Sequence, residues 1–296
     1  MPDTRCAAIN AGLPAEAQAS RPPFAPAAQR ARRSAFFSGA PMTAEIHAFR
    51  CLDDNIGVLV RDPAGACAAI DAPEEAAVVA ALDEKGWRLT EILVTHRHAD
   101  HVQGIEGLKR RYGGVRVTAP DKARNEVPGA DRYVGEGDRV TVGSLEAEVW
   151  DTPGHCRDHI AYWFAGERAL FAGDTIFTLG CGRVMESTYA QMWGSLERFA
   201  HLPDDARVYS GHDYTIANAR FALAVEPDNA ALKARAAEAD AAKAQGRFLI
   251  PSTMAAEKAT NPFLRARESA VARAVKLEGA EPVAVFQALR EWKNRF

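Results

Sequence analysis

The feature that most limits what this chain can fold into is a series of histidines and aspartates placed just after predicted strands. Residues 91–95 (EILVT) have the pattern of a buried strand, and residues 95–101 (THRHADH) then bring three His and one Asp into one turn. Further candidates follow three other strand patterns. The full set is His96, His98, Asp100, His101, His155, Asp174 and His212. Because sites in α/β architectures form at the carboxyl ends of strands, we expect these side chains to converge.

These residue types predict a metal site. In a helix, His96 and His98 would point about 200° apart, but in a loop after a strand they can face one ion. Divalent metals at enzymatic sites take imidazole and carboxylate ligands and keep one position for water. The set exceeds what one metal needs and suits two metals about 3.5–4 Å apart that share a carboxylate. Two cations lower the pKa of a shared water toward about 7, which gives hydroxide near neutral pH.

Strand and helix patterns alternate from Met42 onward. Strands are predicted at residues 45–49, 55–61, 66–70, 91–95, 115–119, 139–142, 145–150, 160–164, 169–172 and 206–210. Helices are predicted at residues 73–85, 104–111, 190–201, 230–245, 262–276 and 282–294, with Asn229 as a helix N-cap. This order predicts two sheets covered by helices and then a helical domain. We place the first domain at residues 42–214 and the second at residues 215–296.

Composition excludes several classes of protein. A formal net charge of −3 argues against nucleic-acid binding driven by bulk charge, and no apolar run reaches the length of a membrane span. The five cysteines form no C-x-x-C pair, which argues against a cysteine zinc site or a disulfide framework. This favours a reducing compartment, so we expect a cytoplasmic protein that binds neither nucleic acid nor membrane.

The first 41 residues differ from the rest. Ala and Pro fill 18 of these positions, and five Arg stand against two acidic residues. The segment has no continuous apolar stretch of the kind a secretory signal needs. We interpret it as a disordered extension, or as a start assigned upstream of Met42. A transit segment, and with it an organelle, is the alternative.

The motifs together resemble the metallo-β-lactamase superfamily: THRHADH, TPGH (residues 152–155), AGD (172–174) and SGH (210–212). Longer stretches resemble glyoxalase II, the hydroxyacylglutathione hydrolase family: FAGDTIFTLGCGR (171–183), GHDYTIAN (211–218), VEPDN (225–229), NPFLRAR (261–267) and REWK (290–293). The resemblance covers roughly residues 42–296. It implies an α+β fold, the four-layer αβ/βα metallo-β-lactamase sandwich, with an α-helical, substrate-binding C-terminal domain.

The resemblance also implies roles for the residues. His96, His98 and His155 would hold one metal; Asp100, His101 and His212 the other; and Asp174 would bridge them. Asp100 and Asp174 are the catalytic residues in this scheme, with metal-bound hydroxide as the nucleophile. Glutathione would be held by Arg183, Tyr214, Arg290 and Lys293, whose cations suit its two carboxylates. Met185 departs from the pattern, since some family members have an aromatic residue there.

The implied reaction is hydrolysis of S-(2-hydroxyacyl)glutathione, namely S-D-lactoylglutathione to D-lactate and glutathione, by a hydroxide that bridges two divalent metals. Zinc is favoured, and Fe or Mn also suit these ligands. We expect a monomer. Three alternatives remain open: a glutathione persulfide dioxygenase with a single iron, another hydrolase of the superfamily, and a non-catalytic metal-binding protein. The complete second set of ligands and the pair Arg290 and Lys293 favour the thioester hydrolase.

Overall fold

The computed structural model describes residues 44–296, so the interpretation of the first 41 residues lies outside the described part of the chain. Two six-stranded sheets face each other, with strand orders β1-β2-β3-β4-β5-β6 and β14-β13-β10-β9-β8-β7. The first sheet comprises β1 (Glu45–Cys51), β2 (Asn55–Arg61), β3 (Cys67–Ile70), β4 (Glu91–Leu93), β5 (Arg116–Pro120) and β6 (Arg132–Val134). The second comprises β7 (Arg139–Val142), β8 (Leu145–Asp151), β9 (Ile160–Phe164), β10 (Ala169–Phe171), β13 (Arg207–Tyr209) and β14 (Ser252–Thr253). A separate hairpin pairs β11 (Ile176–Phe177) with β12 (Gly180–Cys181).

The helices of the described residues lie between and after the strands and are numbered in chain order. They are α1 (Glu75–Lys85), α2 (Ala99–Val102), α3 (Ile105–Tyr112), α4 (Tyr189–Ala200), α5 (Thr215–Val225), α6 (Ala230–Ala244), α7 (Met254–Thr260), α8 (Ser269–Ala274) and α9 (Pro282–Arg295). None of them is long and apolar enough to cross a membrane.

Three apolar layers hold these elements together. Between the sheets, side chains such as Val60 and Phe164 form a shared core with no solvent exposure. Outside the first sheet, α1 and α3 bury Leu82 and Leu108 against it. Outside the second sheet, α4 and α9 bury Phe199 and Phe286 among its outer side chains. The result is the four-layer αβ/βα sandwich that the resemblance implied.

Strand direction brings the predicted site residues to one edge. Strands β3 and β4 run parallel, and so do β10 and β13. Strand β8 is antiparallel to β9, which is antiparallel to β10, so β8 ends at the same edge as β10. The loops that leave the carboxyl ends of β3, β4, β8, β10 and β13 therefore meet at this edge.

The helical part differs from the prediction in two places. The predicted helix at residues 262–276 is wrong: only α8 is helical there, and α7 precedes it. Pro262 lacks the N–H that would continue α7, and the Asn261 side chain instead accepts the Phe263 amide at 3.1 Å. Helix α5 was not predicted because Tyr214 provides no side-chain cap at its start. The predicted cap at Asn229 is confirmed, since its side chain accepts the Leu232 amide at 3.0 Å.

Four short strands were also not predicted from the sequence, namely β6, β11, β12 and β14, each of two or three residues. Such segments are too short for a hydrophobic period to appear in them. The described residues 44–296 belong to one compact unit, so the boundary at residue 214 stays a prediction.

Candidate metal centre

Two aspartates, Asp71 and Asp158, hold the loop after β4 in place through hydrogen bonds and an ion pair within the protein. The Asp71 carboxylate accepts the Thr95 amide at 2.7 Å and the Thr95 hydroxyl at 2.8 Å. The carboxylate of Asp158 accepts the Arg97 amide at 3.0 Å and also pairs with the Arg97 guanidinium. His96 and His98, which flank Arg97, are thus held in an extended turn rather than a helix.

Three imidazoles form the first group of candidate ligands. The His98 Nδ1 atom lies 3.0 Å from His96 Nε2 and 3.0 Å from His155 Nε2. Nitrogen ligands at 2.0–2.1 Å from a tetrahedral metal stand about 3.3 Å apart, so this spacing is close to that of a metal site. His155 Nδ1 donates to the Arg183 carbonyl at 3.0 Å, which leaves its Nε2 atom directed into the site.

A second group lies beside the first. The His212 Nε2 atom is 3.3 Å from the Asp100 carboxylate and 3.3 Å from His101 Nε2. The opposite ring nitrogens donate to carboxylates behind the site: His101 Nδ1 to Asp71 at 2.8 Å and His212 Nδ1 to Asp54 at 2.8 Å. Such contacts orient imidazole ligands and raise their basicity.

Asp174 stands between the two groups. Its Oδ2 atom lies 3.6 Å from His155 Nε2 and 3.4 Å from His212 Nε2, and its Oδ1 atom lies 3.6 Å from His101 Nε2. The Oδ1 atom is buried and has no hydrogen-bond partner. Burial alone would raise the pKa of Asp174, but His101, His212 and His155 hold it below its ordinary value. A buried carboxylate oxygen without a partner among imidazole nitrogens fits a cation on each side.

The AGD and SGH motifs have a steric reason for their glycines. Gly173 has a φ of +46°, and a Cβ atom there would lie 2.6 Å from His159 Nε2. At Gly211 a Cβ atom would lie 2.5 Å from Asp174 Oδ1. A side chain at Gly211 would displace the candidate ligand Asp174, and one at Gly173 would displace His159, which contacts the Asp174 amide.

His159 has a structural role beside the candidate ligands. Its Nε2 atom accepts the Asp174 amide at 2.9 Å, and its Nδ1 atom bonds the Thr152 hydroxyl at 2.8 Å. Burial and the neighbouring His155 lower the pKa of His159 to about 3, which keeps it the neutral acceptor that Asp174 needs. With both nitrogens engaged, His159 fixes a candidate ligand and is not one itself.

A cavity of about 610 Å³ opens onto the candidate ligands. Five of the seven line it, namely His98, Asp100, His155, Asp174 and His212. All four predicted glutathione residues line it as well: Arg183, Tyr214, Arg290 and Lys293. Pockets for small ligands commonly have volumes of about 300–1,000 Å³, so the space suits a tripeptide conjugate.

The part of the cavity lined by helix α9 is cationic. Arg290 is 5% exposed, donates to the Cys181 carbonyl at 2.7 Å, and lies 5.0 Å above the Phe263 ring. Its Nε atom has no partner, and no carboxylate of the described chain pairs with it. Burial and the charge of Arg290 lower the pKa of Lys293 to about 8. Two close cations without a protein counter-ion fit an anionic ligand.

Tyr214 links this region to the metal centre. Its ring stacks on His212 with centroids 5.0 Å apart and an angle of 8° between the planes. The hydroxyl lies 3.2 Å from His212 Nδ1. Phe177 meets both rings edge-on. A side chain predicted to contact substrate therefore also packs on a candidate metal ligand.

Sequence reasoning missed two carboxylates that serve the ligands, Asp71 behind His101 and Asp54 behind His212. A signal existed for Asp71, which follows the end of β3 as the ligands follow other strands. Two other aspartates lie near ligands in the sequence. Asp158 supports the ligand loop through Arg97, but Asp213 pairs with Arg50 and the Thr215 hydroxyl and has no hydrogen bond to a candidate ligand in the described chain.

The class of protein follows from comparison with known families. The profile of the metallo-β-lactamase superfamily matches residues 53–212, and that of the hydroxyacylglutathione hydrolase C-terminus matches residues 213–296. Among solved structures, ETHE1 from Myxococcus xanthus is similar, with a TM-score of 0.58 and 26% identity over 84% of this chain and 98% of that one. The His/Asp clusters and this superfamily together indicate a binuclear metal site.

Curated relatives narrow the class. A hydroxyacylglutathione hydrolase of Methylobacterium sp. (strain 4-46) is 64% identical over 85% of this chain and 99% of its own length. One from Methylobacterium nodulans is 63% identical with the same coverage. The chain belongs to the hydroxyacylglutathione hydrolase family, glyoxalase II, of the metallo-β-lactamase superfamily.

Proposed function

We propose that this protein is a thioester hydrolase that cleaves S-(2-hydroxyacyl)glutathione, with S-D-lactoylglutathione as substrate and D-lactate and glutathione as products. The observation that carries the proposal is the cavity itself. Candidate metal ligands from both groups line one part of it, and another part holds the buried Arg290 and the partly buried Lys293, neither of which pairs with a carboxylate in the described chain. A thioester of a tripeptide that carries two carboxylates matches both parts.

We assign His96, His98 and His155 to one metal, Asp100, His101 and His212 to the other, and Asp174 to both. The spacing within each group and the unpartnered Oδ1 atom of Asp174 support this assignment. When bound, two divalent cations supply Lewis acidity toward the thioester carbonyl and lower the pKa of water at the site. Zinc is the favoured metal, and iron or manganese also suit imidazole and carboxylate ligands.

The residues of the chain position the substrate for that chemistry. Arg290, Lys293 and Arg183 would bind the glutathione carboxylates, and Tyr214 would pack beside the thioester through its place against His212. These contacts hold the scissile carbonyl at the metal centre and convert a bimolecular attack into a local one. The departing group is a thiol with a pKa of about 8.5, so it leaves as thiolate without a strong general acid.

The other assignments follow the same proposal. The catalytic part is residues 42–214, the substrate-binding helical part is residues 215–296, and the protein acts as a cytoplasmic monomer on a small molecule. A single-iron persulfide dioxygenase is less well supported, because it would leave the second group of ligands, Asp100, His101 and His212, without a role.

Comparison of two thioesters tests the proposal. Metal-reconstituted protein is given S-D-lactoylglutathione and the D-lactoyl thioester of N-acetylcysteamine, and loss of thioester absorbance is followed. The second compound lacks both glutathione carboxylates, so we expect its kcat/KM to be at least about 100-fold lower. Equal rates on the two thioesters would contradict recognition of glutathione.

Outer contacts should control metal affinity. We expect Asp71→Asn to weaken binding of the metal held by His101 about 10–100-fold, because the amide cannot both orient His101 and accept the Thr95 groups. Competition with a chromophoric chelator measures the affinity of each site. Loss of one metal before the other is the expected result, and unchanged affinity of both sites would contradict the role of Asp71.

The lowered pKa of Lys293 predicts a pH dependence. Below about pH 8 the ammonium is charged and can pair with a substrate carboxylate, and above it the charge is lost. We therefore expect KM to rise as pH passes through about 8. In Lys293→Arg the side chain stays charged, so that rise should disappear while other titrations remain. Identical pH profiles of KM for the two proteins would contradict the assignment.

A further inference from the structure

A buried hairpin connects the metal centre to the cationic end of the cavity. Strands β11 and β12 follow Asp174 directly, and the hairpin contributes Phe177 and Cys181 to the cavity wall before it leads into Arg183. The Cys181 carbonyl is also the acceptor that holds Arg290 at 2.7 Å. The position of this hairpin therefore sets the position of two of the cationic side chains.

The turn of the hairpin is held by side chains from the helical part of the chain. Leu179 has a φ of +61°, which is unfavourable for a residue other than glycine, and its amide donates to Glu257 at 2.9 Å. The Asn261 amide group donates to the Gly180 carbonyl at 2.9 Å and to the Phe177 carbonyl at 3.3 Å. These contacts satisfy three backbone groups of the turn.

Glu257 and Asn261 form one buried unit. Both side chains are 0% exposed, and neither lines the cavity. Asn261 Nδ2 also lies 2.9 Å from Glu257 Oε2, so one of its two N–H groups is shared between two acceptors, and the Ser252 hydroxyl donates to Glu257 Oε1 at 2.5 Å. Each polar atom of the pair has a partner, so the pair has one arrangement that satisfies it.

Asn261 also supports Arg290 from below. Its Oδ1 atom accepts the Phe263 amide at 3.1 Å, and the Phe263 ring lies 5.0 Å beneath the Arg290 guanidinium. One asparagine thus fixes both the aromatic floor under Arg290 and, through the hairpin, the carbonyl that Arg290 binds.

We propose that Glu257 and Asn261 are positioning residues for substrate: by locking the turn at residues 177–180 they set the geometry of Arg183 and Arg290, and so control binding of the glutathione half without touching it. This inference rests on the proposed thioester hydrolase function. Asn261 and Phe263 of the NPFLRAR motif do not line the cavity. They affect it indirectly, because Asn261 contacts the hairpin and Phe263 packs against Arg290.

The first test is Asn261→Ser. A serine hydroxyl can still accept the Phe263 amide, as the short side chains of Ser and Asn both do in turns, but it cannot donate to both hairpin carbonyls. We expect KM for S-D-lactoylglutathione to rise about 10-fold, with kcat within about twofold and metal content unchanged, because only binding geometry is altered. An unchanged KM in a hydrolysing protein would overturn the inference and leave the proposed function intact.

Two matched variants separate positioning from stability. Thr260→Ala removes a buried hydroxyl that bonds only within its own helix, to the Ala256 carbonyl, so it should lower stability and leave KM unchanged. Glu257→Gln keeps an oxygen that can accept the Leu179 amide and places its own amide group beside the Ser252 hydroxyl, so it should keep KM near the wild-type value. A rise in KM for Thr260→Ala equal to that of Asn261→Ser would mean that loss of stability alone is responsible, and would overturn the inference.

A measurement on the unaltered protein covers the case in which Asn261→Ser does not fold. If the locked turn favours glutathione binding, glutathione must favour the locked turn to the same degree. Saturating glutathione should therefore slow hydrogen exchange of the Leu179 amide. Binding without slower exchange would contradict the inference alone. If wild-type protein neither binds glutathione nor hydrolyses the thioester, the proposed function fails and the inference with it.

Discussion

We expect Asp174→Asn to lower kcat/KM at least about 1,000-fold and to reduce bound metal below two ions per chain. The Asp174 carboxylate lies within 3.6 Å of ligand nitrogens from both groups, and its Oδ1 atom has no hydrogen-bond partner among the described residues. Asparagine keeps the shape but removes the negative charge that two cations would share. Without that negative charge, the repulsion between two cations in a buried site would be less well compensated.

Asp213→Asn is the matched control, because Asp213 lies beside His212 in the sequence but pairs with Arg50 and contacts no ligand. We expect it to keep two metals and nearly full activity. Metal analysis and steady-state kinetics on both variants decide the matter. Full metal content and wild-type rates in Asp174→Asn would contradict the shared-ligand assignment.

The second large effect is expected from Arg290→Ala/Lys293→Ala. Each cation can form a charge-assisted hydrogen bond with a glutathione carboxylate, and each such bond contributes about 1.5–3 kcal/mol. We therefore expect KM to rise at least about 100-fold, with kcat within a few-fold and both metals retained. Inhibition by the product glutathione should weaken in parallel, since glutathione carries the same carboxylates.

Arg295→Ala provides the control on the same helix. Arg295 lies on the same helix, two residues after Lys293, but it is exposed and does not line the cavity. Its loss therefore removes a nearby positive charge without removing a contact in the cavity. An equal rise in KM for Arg295→Ala would indicate long-range charge attraction, and would contradict specific binding by Arg290 and Lys293.

The sequence predicted the layers of the fold and the residues of the metal centre because both depend on strand ends. A buried strand such as β4 has a strong apolar pattern, and the polar residues that follow it can be read directly. The structure brings five of the seven predicted ligands and all four predicted glutathione residues to one cavity, and the other two, His96 and His101, are grouped with ligands that line it. Their individual roles remain assignments to be tested by the variants above.

The missed features depend on contacts between distant parts of the chain. The role of Asn261 requires the hairpin turn about 80 residues earlier in the sequence, as its hydrogen bond to Gly180 shows. The helix predicted at residues 262–276 was wrong for a local reason, because Pro262 lacks the N–H that would continue α7 and the Asn261 side chain accepts the Phe263 amide. Asp54 could not be distinguished from an ordinary turn residue until His212 was placed against it.

One experiment tests the central claim most directly: the fate of two glutathione substrates with the same metal-reconstituted protein. D-lactate and free thiol are measured with S-D-lactoylglutathione, and oxygen uptake is measured with glutathione persulfide. We expect equimolar D-lactate and glutathione from the thioester, and no oxygen uptake with the persulfide. Oxygen uptake on persulfide without thioester hydrolysis would contradict it and would assign the same fold and ligands to an oxidation.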